Sequence, residues 1–367
     1  MKEAINISYE LDKLFSDALK LLQQLIAIPS FSKEENKTAD VIENFLNEKD
    51  IKTKRYLNNV WSVNKYFDEK KITILLNSHH DTVKPNAGYT NNPFEAIEKD
   101  GKLFGLGSND AGGPLVSLIA TFLHFYDLEE LPFNLILAAT AEEEISGHDG
   151  IEVLLTKLPK IDCGIVGEPT LIQMAIAEKG LLVLDCTAHG VAGHAARNEG
   201  VNAIYKAMKD IEWLSAFQFS GVSPFLGPVH ISVTSVNTEN KAHNIVPSEC
   251  SFVVDIRVNE LYAFEDIIAE IRQNVTSEVV PRSTRLKPSF IEESHPLVVA
   301  GSMLGMKSYG SPTCSDRALM NFPTLKLGPG DSARSHTADE YIFVEEIRDG
   351  IKKYIRLLQN LNQIQLF

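Results

Sequence analysis

Two hydrophobic periods alternate along this chain, and where the alternation changes the chain divides. Leu11, Leu14, Phe15, Ala18, Leu21, Leu22 and Leu25 recur at helical spacing, which predicts an amphipathic helix over residues 8–28, stopped by Pro29. Ser32 and Glu35 form a capping-box pattern for a second helix through Glu48, with Val41, Ile42, Phe45 and Leu46 on its inner face. A strand is expected near Val60–Tyr66. The apolar runs Ile72–Leu76 and Leu135–Ala139 read as buried strands, with helical spacing over Gly113–Phe125 between them. Cys163–Val166 is a further short core strand. This alternation predicts an α/β fold, a mostly parallel central sheet flanked by helices.

From about Ala175 to Pro288 the order becomes strand (Leu181–Ala188), helix (Val201–Leu214), strand (Val229–Val236), strand (Glu249–Val258), helix (Phe264–Val275) and a last strand near Thr284–Phe290. That β-α-β-β-α-β order is the ferredoxin-like split arrangement. The α/β pattern resumes at His295, with a strand at Thr324–Leu327 and a closing helix from Val344 to Leu361. The expected organisation is a catalytic domain of residues 1–174 and 289–367, interrupted by an α+β domain of residues 175–288. A chain of 367 residues is long enough for two domains.

Composition narrows the function. The formal net charge of −14 disfavours nucleic acid and anionic membrane surfaces as partners. No apolar run approaches the length of a membrane span, and Met1–Asn6 lacks the apolar stretch of a signal peptide. The four cysteines are widely spaced with no C-x-x-C pair, which fits reduced thiols in a cytoplasmic protein.

The chemistry lies at the ends of the apolar runs. His79 and Asp81 stand two apart at a strand end, so both face one way and His80 faces the other. His79 is the expected ligand, with Asp81 orienting its ring. Asp110 sits in a glycine-rich turn, Gly105–Gly113, that has neither a P-loop ending nor a dinucleotide-binding register. Glu142, Glu143 and Glu144 follow a core strand, where ligands bind in open α/β sheets, and adjacent acids there can divide metal binding from proton transfer. Glu168 follows another core strand and His336 a Gly-Pro-Gly loop, with Asp339 and Glu340 beside it as outer partners or helix-start acids. Carboxylates and imidazoles gathered this way repel unless a cation joins them, and a mixed N and O donor set suits zinc, cobalt or manganese.

The S-H-x-D-x-V, G-x-G-x-x-D, E-E, G-E-P and S-H-x-x-D-E segments, in this order, resemble the superfamily of metal-dependent aminoacylases, acetylornithine deacetylases, succinyl-diaminopimelate desuccinylases and zinc carboxypeptidases. The likeness runs from about Leu11 to Leu358 and is strongest to the acetylornithine deacetylase branch, through Gly328–Thr337. It implies two divalent metal ions, zinc or cobalt, with Asp110 bridging them, His79 and Glu168 completing one shell, and Glu144 and His336 the other. Glu143 would be the general base and Asp81 the support of His79. It further implies that His194 polarises the scissile carbonyl, that Asn244 and Arg257 contact substrate, and that the Asp110–Ala111 peptide is cis. A homodimer, with the inserted domain as lid and contact and His194 serving the partner's site, is also implied. The chain departs from many relatives at Gly112, where lysine is frequent, and at Glu142, where aspartate is commoner.

The leading expectation is hydrolysis of an N-acyl amino acid, acetyl- or succinyl-ornithine or acetylcitrulline, in arginine biosynthesis. A dipeptidase or carboxypeptidase using the same residues is the alternative. A binding protein with a vestigial site is a remote third, since all five ligand positions and the base are present.

Overall fold

Buried β-branched and leucine-rich runs form strands whose two faces both need cover, and the computed structural model, which describes residues 2–364, arranges them accordingly. The chain separates into two units. The first runs through Ile176 and also takes Ile291–Tyr309 and Ser315 onward; the second is Ala177–Phe290 with Gly310–Cys314. The short return segment Gly310–Cys314 lies in the stretch that the sequence pattern assigns wholly to the first unit.

In the first unit, Phe133–Thr140, Ile72–His79, Cys163–Gly167 and Thr324–Leu327 lie side by side, all parallel. Asn59–Val63 and Lys54–Tyr56 extend one side antiparallel, and Met174–Glu178 extends the other. The fold is therefore mixed α/β with a mainly parallel centre. Phe133–Thr140 is buried at every position, as a strand covered on both faces must be. Helix Gly113–Phe125 packs against one face, and helices Lys2–Ile26 and Val344–Leu361 pack on it in turn. In the last of these Ile347, Ile351, Tyr354, Leu358 and Leu361 are buried at spacings of three and four. Fully burying each such aliphatic side chain contributes about 1.5–3 kcal/mol. On the opposite face Leu75, Ile136 and Ala138 pack with Trp61 and with Ile151 and Leu154 of the short helix Ile151–Leu155.

The first helix ends at Ile26, two residues short of the predicted limit, because Ile28 precedes a proline and is disfavoured in the α region. The second spans Asn36–Asn47 with Glu35 at its N-cap and no side-chain cap bond. The capping box expected of Ser32 and Glu35 does not form, because both side chains are bonded elsewhere.

The second unit is a four-stranded antiparallel sheet ordered His230–Asn237, Glu249–Val258, Gly180–His189, Glu278–Pro281. With helices Ala203–Ala216 and Phe264–Asn274 this is the split β-α-β-β-α-β arrangement. Along Glu249–Val258 every second residue is buried, so one sheet face meets the helices. The closing strand is Glu278–Pro281 rather than the predicted Thr284–Phe290. Val279 enters the core, and Pro281 ends the strand at a sheet edge, where a missing N–H is tolerated. Cys163, Cys186 and Cys250 are buried, Cys314 is half-buried, and all four are free thiols. No helix among the described residues is long and apolar enough to cross a membrane.

Candidate metal centre

Parallel strands deliver their C-terminal ends to one edge of the sheet, and that edge gathers the chemistry. His79 ends Ile72–His79, Glu143 and Glu144 follow Phe133–Thr140, and Glu168 follows Cys163–Gly167. Asp110 enters from the turn before helix Gly113–Phe125, and the Asp110–Ala111 peptide is cis. His336 enters from the loop after Thr324–Leu327.

The donor atoms converge. His79 Nε2 lies 3.2 Å from Asp110 Oδ1, 3.8 Å from Glu168 Oε1 and 3.9 Å from Glu143 Oε2. His336 Nε2 lies 3.0 Å from Glu144 Oε2 and 3.7 Å from Asp110 Oδ2. Donors about 2.1 Å from a tetrahedral cation stand roughly 3.4 Å apart, so these separations fit zinc-like coordination. Asp110 turns one oxygen to each imidazole. His79, Asp110 and Glu144, and separately His79, Glu143 and Glu168, hold donor atoms within 4.8 Å of one another.

Electrostatics match the geometry. Burial opposes charge on the His79 ring, but the carboxylates of Glu143, Asp110 and Asp81 overcome it and raise its proton affinity well above the ordinary imidazole range. His336, half-exposed, is pushed up to about 9, first by its bond to Glu144. Glu143 is raised well above the usual carboxyl range by burial, opposed by His79 and reinforced by Glu168, Asp316 and Glu144. Burial works against the Asp110 carboxylate, yet the His79 ring keeps its pKa low. Protons thus gather on groups that a divalent cation would otherwise neutralise, and a cation taking their place would release them.

His80 faces away from the cluster, as the strand period requires. Its ring nitrogens meet Thr38 Oγ1 and the Asn58 carbonyl, both at 2.9 Å. Asp81 does more than orient His79. The ring Nδ1 bonds the Asp81 backbone carbonyl at 3.0 Å, with the carboxylate at 3.4 Å. The two carboxylate oxygens accept the Glu143 and Glu144 amides at 3.0 and 3.1 Å, and Ser32 Oγ donates at 2.7 Å. Gly112 is required by contact: a Cβ there would lie 2.4 Å from the Gly107 carbonyl oxygen and 2.5 Å from Leu22, which leaves no room for lysine.

Of three further buried acids here, the sequence reading gave Glu35 to a helix cap and Glu340 to an outer partner or a helix start, and it passed over Asp316. Glu340 and Glu35 bond backbone amides of the site loops. Asp316 accepts from Asn77 and Thr140 at 2.8 and 2.9 Å and is raised by burial to about 6. No periodic pattern marks any of them; their role is set by which loops meet them.

In the second unit, strand Gly193–His194 pairs with Ile245–Val246, and Ala195 N donates to the Asn244 carbonyl at 3.0 Å. His194 and Asn244, fifty residues apart in sequence, therefore stand side by side. Arg257 lies elsewhere, near the far end of Glu249–Val258, its Nε and Nη2 bonded to Asp255 at 2.8 and 3.1 Å. Eight residues of strand put Arg257 about 26 Å from Glu249, the end nearer His194 and Asn244.

Strand ends that gather imidazoles and carboxylates at metal-ligand spacing make a candidate metal centre, and with the family match that follows the class is a metal-dependent amide hydrolase. The chain belongs to peptidase family M20/M25/M40, whose description matches residues 75–360. It is 29% identical over 299 residues to acetylornithine deacetylase of Proteus mirabilis (strain HI4320), covering 75% of this chain and 77% of that protein. It is 26% identical over 309 residues to succinyl-diaminopimelate desuccinylase of Acidiphilium cryptum (strain JF-5), covering 77% and 81%. Its fold is similar to that of a dinuclear metal-binding M20 peptidase of Bacillus subtilis, with a TM-score of 0.74 at 15% identity over 96% of this chain and all of the other.

Proposed function

We propose that this amide hydrolase removes the acyl group from an N-acyl amino acid, acetyl- or succinyl-ornithine or acetylcitrulline, as in arginine biosynthesis. The observation that carries the reading is the division of Asp110, with Oδ1 toward His79 and Oδ2 toward His336. One carboxylate shared by two His-carboxylate groups suits two cations, held by His79, Asp110 and Glu168 and by His336, Asp110 and Glu144. Zinc or cobalt suits these donors. When bound, two such cations lower the pKa of a shared water and polarise the scissile carbonyl.

Glu143 is the general base. Its carboxylate sits among the donors, 3.9 Å from the His79 ring, where it can accept a proton from the attacking water and return it to the leaving amine. His194 donates to the oxyanion. Asn244 and Arg257 bind substrate, with the Arg257 guanidinium, fixed by Asp255, taking the carboxylate.

An acylated ornithine spans roughly 10–12 Å extended, less than half of the roughly 26 Å along the strand toward His194 and Asn244. If Arg257, His194 and Asn244 all meet one substrate, the two ends come from different chains. This supports a homodimer in which His194 and Asn244 act on the partner's site and the second unit closes over substrate. A cytoplasmic setting fits the free thiols.

Dipeptide or carboxypeptidase activity is the second reading, favoured by whole-chain likeness to M20 peptidases of known structure. Amine release from acetyl- and succinyl-ornithine, acetylcitrulline and a dipeptide panel separates the two. Metal analysis after reconstitution is expected to approach two ions per chain. Full activity at zero metal would overturn the reading.

A further inference from the structure

Both loops that carry the reacting side chains are held by their backbone amides, and buried carboxylates do the holding. Glu340, 2% exposed, accepts the Asn109 and Asp110 amides at 2.9 Å each through Oε1 and the Gly107 amide at 3.2 Å through Oε2. These bonds fix the peptide planes on either side of Asn109, and so where the Asp110 Cα begins. Glu340 is itself fixed, since its carbonyl accepts Gly105 N and the next residues, Tyr341–Phe343, pair with Lys102–Phe104.

Glu35, fully buried, treats the glutamate turn in the same way. Its Oε1 accepts Lys33 N at 2.6 Å and Glu142 N at 3.2 Å, and its Oε2 accepts Asn58 Nδ2 at 2.9 Å. The next two amides, of Glu143 and Glu144, go to Asp81. Three consecutive amides are thus captured by two carboxylates, across a turn whose first residue, Glu142, takes the left-handed φ of 57°. Asp81 is tied in turn by Ser32, so both members of the Ser32–Glu35 pattern serve this turn rather than a helix cap.

Neutral acceptors would satisfy these amides without burying charge-bearing groups. Carboxyl groups placed there instead let one side chain hold several donors, three loop amides at Glu340 and two amides and the Asn58 side chain at Glu35, at the residues whose direction the reaction depends on.

We propose that Glu340 and Glu35 are positioning residues for the hydrolysis, Glu340 aiming Asp110 and Glu35 aiming the Glu143–Glu144 turn. The inference rests on the roles given above to those three residues. Outer partners of metal ligands typically change affinity or activity by about 10–100-fold.

The test titrates zinc into Glu340→Ala, Glu340→Gln, Glu35→Ala and Glu35→Gln by calorimetry. It also measures kcat, KM and the thermal unfolding midpoint of each, with Glu143→Gln as control. Glu340→Ala is expected to weaken zinc binding by about 10–100-fold while unfolding stays cooperative. Glu35→Ala is expected to lower kcat by about 10–100-fold with KM changed by less than about threefold. Each Gln variant keeps an amide oxygen for some of the donors, so its loss is expected to be smaller but measurable. If an Ala variant does not fold, its Gln partner decides. Lowered unfolding midpoints with zinc affinity and kcat at wild-type values would overturn the proposal. If Glu143→Gln keeps full turnover, the underlying assignment fails. If Glu143→Gln loses turnover while all four variants keep theirs and bind zinc normally, only the positioning roles fail.

Discussion

The metal-site loops of the first unit and the His194–Asn244 segment of the second make opposite use of polar residues. Around the metal site Asp81 is buried, Asp110 and Glu144 nearly so, and the amides at Asn109, Asp110, Glu142, Glu143 and Glu144 each have a named carboxylate partner. In the second unit His194 is exposed, its Nδ1 accepting Ala196 N at 3.2 Å. The core of that unit is mostly apolar, with Asp210 buried against it and accepting the Thr276 and Ser277 amides. The difference teaches where precision is built in: the metal-site loops are fixed before anything binds, whereas the residues of the second unit proposed to meet substrate depend on what approaches them.

The most severe way to break this contrast is at its fixed pole. Glu143→Gln is expected to lower kcat by about a thousandfold while metal analysis stays near wild type, because on the proposed reading it removes a base and not a ligand. Glu144→Gln is expected instead to weaken metal binding, beyond the roughly 10–100-fold that outer partners cost, read by zinc titration. The reverse pattern would shift the assignment within Glu142–Glu144 by one residue.

At the adaptable pole effects belong in binding. Arg257→Ala is expected to raise KM about 10–100-fold with a smaller change in kcat, the size of one charge-assisted hydrogen bond, measured by initial rates. Mixing His194→Ala with Glu168→Ala chains, each inactive alone, sharpens the comparison further. If His194 acts across a dimer, random exchange restores up to about a quarter of wild-type activity. No recovery after demonstrated exchange would confine His194 to its own chain.

The smallest effect concerns pH and only the first unit. His295 is buried, and its Nδ1 accepts Leu297 N at the start of helix Pro296–Ser302, a bond only the neutral ring can make at that atom. Burial lowers its pKa to about 4. The unfolded ring gains its proton near pH 6.5 and the folded one only near 4, so stability falls as pH drops through that window and then levels. The loss is about 1–2 kcal/mol once partial solvation is allowed for. Urea midpoints at pH 7 and 5 should fall less in His295→Ser, which keeps a cap and removes the titration.

Much of this was legible in the chain. The strand runs, helix Gly113–Phe125, strands Glu249–Val258 and Thr324–Leu327 and helix Val344–Leu361 follow from hydrophobic period, which depends on neighbours a few residues away. The second unit's closing strand was misplaced, since Val279 and Val280 offer too short a run to outweigh the longer segment after them. Ser32 and Glu35 were misread because a local capping pattern and a long-range contact draw on the same residue types.

What the sequence determined by itself was therefore the α/β plan, the inserted split motif and the set of acids and imidazoles at strand ends, because period and motif order are local properties. The tertiary structure alone decided that Asp110 divides its oxygens between His79 and His336, that Glu340 and Glu35 hold the amides of the site loops, and that His194 stands beside Asn244 in a two-stranded pair separate from the four-stranded sheet that carries Arg257. Those facts join residues from 31 to 233 positions apart, and at such separations only packing determines which groups meet.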